Sequence, residues 1–208
     1  MLCQETIHFK YKGNRKYVQG PDIYDAMLQK VLEFFAAYPI HVKGSFNCLL
    51  KNNGILRIHE STEKIDKNKL CTFFSITIGS DQYYVVLLDA GTKVSSSCYY
   101  DERKVLEDMV FQVDTVTMQA KSEFTYMEQI VAMTKKLHLL IYPGANGKWL
   151  FTKIDLATYI DPQLYQDQNI SVKARKNFHN SLTQNSIFVN TEEIGEIWFS
   201  MVKEYGVS

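Results

Sequence analysis

Residues 20–39, GPDIYDAMLQKVLEFFAAYP, decide how the rest of the chain is read. Ile23, Met27, Leu28, Val31, Phe34 and Phe35 recur at the spacing of one apolar helix face, with Asp25, Gln29, Lys30 and Glu33 mostly opposite. Pro21 and Asp22 suit a first helical turn: a proline forfeits no hydrogen bond there, and a carboxylate opposes the positive end of the helix dipole. Pro39 ends the pattern, because the residue before a proline is pushed out of the helical region. The spacing predicts a helix over residues 21–37. Its apolar face needs a sheet or a second helix to cover it, and strand-like sequence stands on both sides.

Residues 6–11, TIHFKY, alternate and read as a first strand ended by Lys12-Gly13-Asn14. Beyond Pro39, Val42, Phe46, Cys48 and Leu50 fall on one side of a second strand. Asn53-Gly54 is a strong hairpin signal, and residues 55–59 read as the returning strand. Residues 60–69, ESTEKIDKNK, form a polar loop. Residues 70–78 and 82–89 read as a hairpin joined by Gly79-Ser80-Asp81. The run YYVVLLDA at 83–90 is almost continuously apolar, which predicts a central strand buried on both faces. Residues 101–108 read as a short helix and 109–118 as a strand.

From Ser122 the pattern restarts. Met127, Ile130, Val131, Leu137, Leu140 and Ile141 supply a second apolar face, with Ser122 as N-cap and Tyr142-Pro143 as the stop, predicting a helix over about 124–141. A strand over 148–160, a polar stretch over 161–169, a strand pair across Gln184-Asn185 and a closing strand over 194–202 follow. The Tyr-Pro ends of the two helices lie 104 residues apart (142 − 38), half of the 208-residue chain. The same offset carries Gly91 onto Gly195. The expectation is an internal repeat, residues 1–104 and 105–208.

Composition narrows the function. Lys+Arg and Asp+Glu both total 23, so the net charge is +0 and the electrostatic footprint of a nucleic-acid binder is missing. Hydrophobic residues at 46% and charged residues at 22% are those of a folded globular chain. Cys3, Cys48, Cys71 and Cys98 form no CxxC and sit beside no histidine at zinc-like spacing, so no metal site is expected. Their irregular spacing, without an export signal or a membrane-length apolar run, predicts reduced thiols in a cytoplasmic protein. His8, His41, His59, His138 and His179 are scattered, and no nucleophile elbow or glycine-rich phosphate loop occurs.

The order of a first strand, an early helix and then longer strands resembles the hotdog fold, in which a curved antiparallel sheet wraps one long helix. Two such sets in one chain resemble the double-hotdog members of that superfamily. The resemblance rests on element order over nearly the whole chain. It implies an α+β tandem of two hotdogs, two long helices each wrapped by a curved antiparallel sheet, in one compact pseudo-dimeric unit. It implies, too, a thioesterase- or dehydratase-like protein that processes or binds acyl thioesters of coenzyme A or acyl carrier protein. No cofactor is held permanently on this view; coenzyme A or phosphopantetheine arrives as part of the substrate.

In that family a backbone N–H at the start of the helix polarises the thioester carbonyl, and a nearby carboxylate or histidine activates water or removes a proton. Carried onto this chain, Gly20 supplies the oxyanion donor and Asp22 or Asp25 the base, with Glu123 and Glu128 as the counterparts in the second half. Arg15 and Lys16 fall where phosphates of the coenzyme arm would lie, and Met27, Val31 and Phe34 where an acyl tunnel would run. The His-Phe-Pro-Gly-like segment of the dehydratases is absent, which leaves hydrolysis or acyl binding. The alternative is a binding or assembly module that keeps the fold without a working site, in which the four carboxylates only oppose helix dipoles. The expected partners exclude nucleic acid and membrane, and the expected state is a monomeric pseudo-dimer or a homodimer.

Overall fold

Helix α1, Gly20–Phe35, forms where its apolar spacing predicts in this computed structural model, which describes residues 1–121, 123–144, 147–159 and 168–202. Ile23, Met27, Leu28 and Val31 are buried, and Tyr24 with them. The helix ends before Pro39 can act. Ala36 turns into the left-handed region at φ 50° and its N–H returns to Leu32 O at 2.9 Å, closing the last turn. Phe34 consequently projects outward, 45% exposed, and lines no interior.

The chain divides into two compact units, Met1–Asp101 with Asp155–Tyr159, and Glu102–Ile154 with Ile160–Ser208. The first holds β1 (Cys3–Ile7), β2 (Tyr11–Lys12), α1, β3 (His41–Phe46), β4 (Asn52–His59), β5 (Leu70–Ile78), β6 (Asp81–Lys93) and β7 (Ser97–Cys98). Its sheet runs β1-β4-β6-β5-β3 with every neighbour antiparallel, while β2 and β7 pair in parallel. Val85, Val86 and Leu87 of the middle strand β6 are buried in succession, so both of its faces are covered. Helix α1 spans this sheet. Tyr24 packs on Phe74 of β5 at 5.9 Å, Thr72 donates to the Met27 sulfur at 3.3 Å, and Phe35 meets Tyr83 of β6 at 4.4 Å. At the β1 side Lys30 pairs with Glu5 at 3.0 Å.

The expected hairpin at Asn53-Gly54 does not form; both residues lie inside β4, and β3 and β4 pair with other strands. Tertiary partners override the local turn preference. The Asn53 carboxamide is buried: Oδ1 accepts from Phe9 N at 3.0 Å, and Nδ2 donates to Lys93 O at 3.3 Å. Gly54 is needed for space, since a Cβ there would stand 2.5 Å from Leu87 Cδ1 in the core. The hairpin read at 79–81 does form, as the two-residue turn Gly79-Ser80 between β5 and β6, with Gly79 at φ 61°.

The second unit holds α2 (Glu102–Val105), β8 (Val110–Gln112), β9 (Thr115–Gln119), α3 (Tyr126–Ile141), β10 (Lys148–Leu156), β11 (Asn169–Phe178), β12 (Leu182–Val189) and β13 (Glu192–Val202), the end of β10 from Asp155 belonging with the first unit. Ser122 lies outside the described residues; the N-cap of α3 is Thr125. Its hydroxyl accepts from Glu128 N at 3.2 Å and the Glu128 carboxylate accepts from Thr125 N at 2.9 Å, a reciprocal capping box. Residues 126–134 are all buried, so this part of α3 is covered on every side. The sheet order is β10-β13-β12-β11-β9-β8. Gln184-Asn185 lies within β12, and the chain reverses instead at His179 and Asn180, φ 51° and 55°. Asn185 is buried in β12 because its amide is used there, donating to Ile197 O at 3.3 Å.

Strand order separates the units at one point. In each, the strand before the long helix (β1 or β9) neighbours the second strand after it (β4 or β11), and the first strand after it (β3 or β10) stands at the other end. The two strands between are exchanged. The long polar connection at 60–69 lets β4 lead to a strand two places away, whereas the short turn after β11 places β12 directly beside it.

A buried polar cluster underlies α3. His138 is fully buried among Trp149, Tyr142 and Phe199, and its Nε2–H is shared between Asn185 Oδ1 at 3.2 Å and Thr183 Oγ1 at 3.0 Å. Nδ1 has no partner. Burial pulls His138 down to about 4 from the usual 6.5, against a smaller upward pull from Asn185.

Two outcomes follow from this packing. Gly54→Ala overpacks the β4–β6 contact and lowers unfolding free energy by about 1–3 kcal/mol, read as a fall in the urea midpoint. For His138 the unfolded chain takes the proton first, so its stabilising effect is complete above pH 6.5 and is lost as pH falls toward 4. His138→Gln keeps an Nε2–H donor without a titration. Urea melts of this variant lose the steep decline between those pH values, a slope of up to about 1.4 kcal/mol per pH unit in the parent.

Candidate functional site

The first turn of α1 is held from three directions within the first unit. Val18 N–H donates to Leu50 O at 2.8 Å just before the helix, and Tyr11 OH donates to Lys51 O at 2.6 Å. Tyr11 N and Gly13 N bond Ser96 O and Cys98 O at 3.0 and 2.9 Å, tying the segment before the helix to β7. These anchors bring Lys12 to Asp22, Nζ to Oδ1 2.5 Å, with both side chains 17% exposed. Lys12 Nζ and Arg15 Cζ each lie 5.3 Å from the centre of the Tyr100 ring, a shared cation–π contact.

The N-cap of α1 is Gln19, extended at φ −73° and ψ 148°, and its side chain makes no capping hydrogen bond. Gln19 is buried, yet its Nε2 has no partner. Pro21 offers no N–H, and Ile23 N–H is taken by Gln19 O at 3.2 Å. Tyr24, one turn on, is buried with its hydroxyl unpartnered. Burial raises its pKa well above the ordinary tyrosine value, and the nearby Asp25 and Tyr159 add to the rise. A buried amide donor without an acceptor normally costs about 1–3 kcal/mol. Gln19 Nε2 is such a donor, placed at the start of the helix.

The residues singled out from sequence fall into two sets. Gly20, Asp22 and Asp25 share the first turns of α1, and Arg15 lies near them on Tyr100, while Lys16 is exposed. Glu123 is exposed ahead of α3, and Glu128 closes the capping box of that helix. Sequence reasoning missed Gln19, Lys12 and Tyr100. Lys12 and Tyr100 meet α1 through contacts distant in sequence, and the Gln19 amide stands out only once its burial is known. Elsewhere in the unit His41 and Lys43 of β3 hold Asp155, at 2.7 and 3.0 Å. Burial pulls Asp155 upward, but those two bonds and charges outweigh it and leave its pKa below the usual carboxylate value. A shallow pocket of about 190 Å³ sits at the opposite end of α1, lined by Leu32, Ala36, Ala37 and Tyr38. Among the described residues no group of three metal-ligating side chains occurs, and no helix is long and apolar enough to cross a membrane.

No family model and no curated protein matches the sequence. Solved structures do match. A TesB protein of Mycobacterium avium subspecies paratuberculosis aligns with a TM-score of 0.51 at 10% identity, over 95% of this chain and 91% of its own. The dehydratase domain of PpsC from Mycobacterium tuberculosis, solved in complex with C12:1-CoA, aligns with a TM-score of 0.51 at 7% identity, over 96% and 92%. A monomeric dehydratase domain from a trans-AT polyketide synthase split module gives 0.50 at 10% identity, over 96% and 97%. Identities this low carry no residue roles across. All three are hotdog-fold proteins, and the fold of this chain is the hotdog fold.

Proposed function

We propose that this chain binds and hydrolyses acyl thioesters carried on coenzyme A or acyl carrier protein, at the start of α1. The observation that carries the reading is the unsatisfied helix start, where the buried Gln19 amide lacks an acceptor and Asp22 is held beside it by Lys12. A thioester oxygen would take hydrogen bonds from Gln19 Nε2 and the Gly20 N–H, which stabilise the negative charge that develops there. Asp22 or Asp25 accepts a proton from water as its oxygen attacks the carbonyl carbon. The C–S bond then breaks and the thiol leaves with a proton. The acyl-thioester chemistry of the structural neighbours supports the reading at the level of the fold.

The site belongs to the first unit on this reading, because Glu128 is engaged at its own N-cap and Glu123 faces solvent. We read the two units as a tandem of hotdog repeats, residues 1–104 and 105–208, the second with its middle strands exchanged. A sixteen-residue helix in each, with matching outer strands, supports that reading.

Asp22→Asn with Asp25→Asn abolishes turnover across a panel of acyl-CoA chain lengths while Tm moves only a few degrees. Saturable acyl-CoA binding without turnover by the parent protein would make it a binding module; neither binding nor turnover would overturn the reading. Arg15→Ala with Lys16→Ala raises KM for acyl-CoA about tenfold, the worth of one charge-assisted phosphate contact. KM for a thioester lacking the nucleotide stays unchanged, a split that steady-state kinetics on the two substrates resolves.

A further inference from the structure

The segment 47–51, which receives Val18 and Tyr11 ahead of α1, also carries Cys48. Asn47 N–H donates to Cys71 O at 2.8 Å, continuing the β3–β5 pairing by one residue and setting Cys48 beside Cys71. Cys71 is the extra residue of a bulge, where the β5–β6 register shifts between Leu70 and Thr72. After burial, Cys48 is the main influence on the Cys71 thiol, with Asp89 of β6 a lesser one, so the two cysteine side chains are neighbours. Cys48 is exposed, Cys71 is buried, and neither takes part in a disulfide.

We propose that Cys48 and Cys71 are a peroxide-oxidisable pair that closes into a reversible disulfide, fastening the 47–51 segment to β5. Accessibility decides the order of events. The exposed Cys48 sulfur attacks one oxygen of hydrogen peroxide, the O–O bond breaks, and the products are the Cys48 sulfenic acid and water. The Cys71 sulfur then attacks the Cys48 sulfur, the S–O bond breaks, and the hydroxyl leaves with the Cys71 proton as a second water. Two thiols are oxidised by two electrons and one peroxide is reduced to two waters. Burial, then the neighbouring Cys48, pushes the Cys71 thiol up to about 12, so Cys71 makes a poor first nucleophile. Its contact with Cys48 offsets that weakness in the second step, since the attack is intramolecular. Closure ties the loop that supplies Leu50 O to Val18 onto β5.

The test is independent of the acyl-thioester reading. The folded full-length protein is exposed to hydrogen peroxide, alkylated with N-ethylmaleimide, digested without reductant and mapped by mass spectrometry. The expected result is one intramolecular cross-link joining the peptides of Cys48 and Cys71, lost after dithiothreitol. In Cys71→Ser the Cys48 sulfenic acid persists and is trapped by dimedone at several times the parent yield. Cys48 driven to sulfinic acid while Cys71 stays alkylatable overturns the proposal, as does a cross-link from Cys48 to Cys3, to Cys98 or to a second chain. If Cys71→Ser fails to fold, the parent map decides alone.

Discussion

The bond from Val18 N–H to Leu50 O, 2.8 Å, fixes where α1 begins, and much of the first unit depends on that starting point. One residue later the chain must enter the helix, so Gln19 becomes the N-cap and Pro21 falls where its missing donor does no harm. The phase of the helix follows: Tyr24, Met27 and Val31 turn onto the sheet, and Asp22 turns toward Lys12. The acceptor Leu50 O lies on a segment with no ladder of its own, held by Asn47 on Cys71 and by Tyr11 on Lys51. A contact that loosened 47–51 would therefore shift the helix start before it disturbed the sheet.

The second unit meets the same need, a long helix to cover a sheet, at greater polar cost. Helix α3 buries Glu128, Gln129, Thr134 and His138, and nearly all of that polarity is matched by specific partners. Gln129 takes Lys121 N at 2.8 Å and gives to Lys121 O at 3.0 Å; Thr134 gives to Ile130 O at 2.7 Å. Matched groups of this kind cost little in place and a great deal when a partner is removed. The exception is His138 Nδ1, and burial of the ring resists its protonation.

Both long helices were legible because their apolar residues recur with the helical period, and β6 was legible because an unbroken apolar run has few other uses. Helix ends were less so. Pro39 and Pro143 mark where a helix must have stopped, while Ala36 and Tyr142 mark where hydrogen bonding ends it. Asn53-Gly54 and Gln184-Asn185 misled for one reason: a buried asparagine that serves distant backbone groups is spelled like one that makes a turn. Gly20, Asp22 and Asp25 were visible as residues of a helix start. Lys12, Tyr100 and the orphaned Gln19 amide were not, because each acquires its meaning from a neighbour far away in the chain or from burial.

The two helix starts explain why the proposed chemistry is assigned to the first unit. Thr125 and Glu128 satisfy one another's backbone donors at the start of α3, so an acceptor arriving there would have to displace bonds already made. At α1 the N-cap is a glutamine, whose longer side chain does not fold back onto the first turn. Its amide remains buried with no protein acceptor, and leaving such a donor unpaired costs about 1–3 kcal/mol. A ligand oxygen that met Gln19 Nε2 would recover that energy on binding, and one carrying more negative charge in the transition state would recover more. The unsatisfied cap thus favours a polarising carbonyl over any uncharged acceptor of the same shape, which is the preference an acyl-transfer site requires.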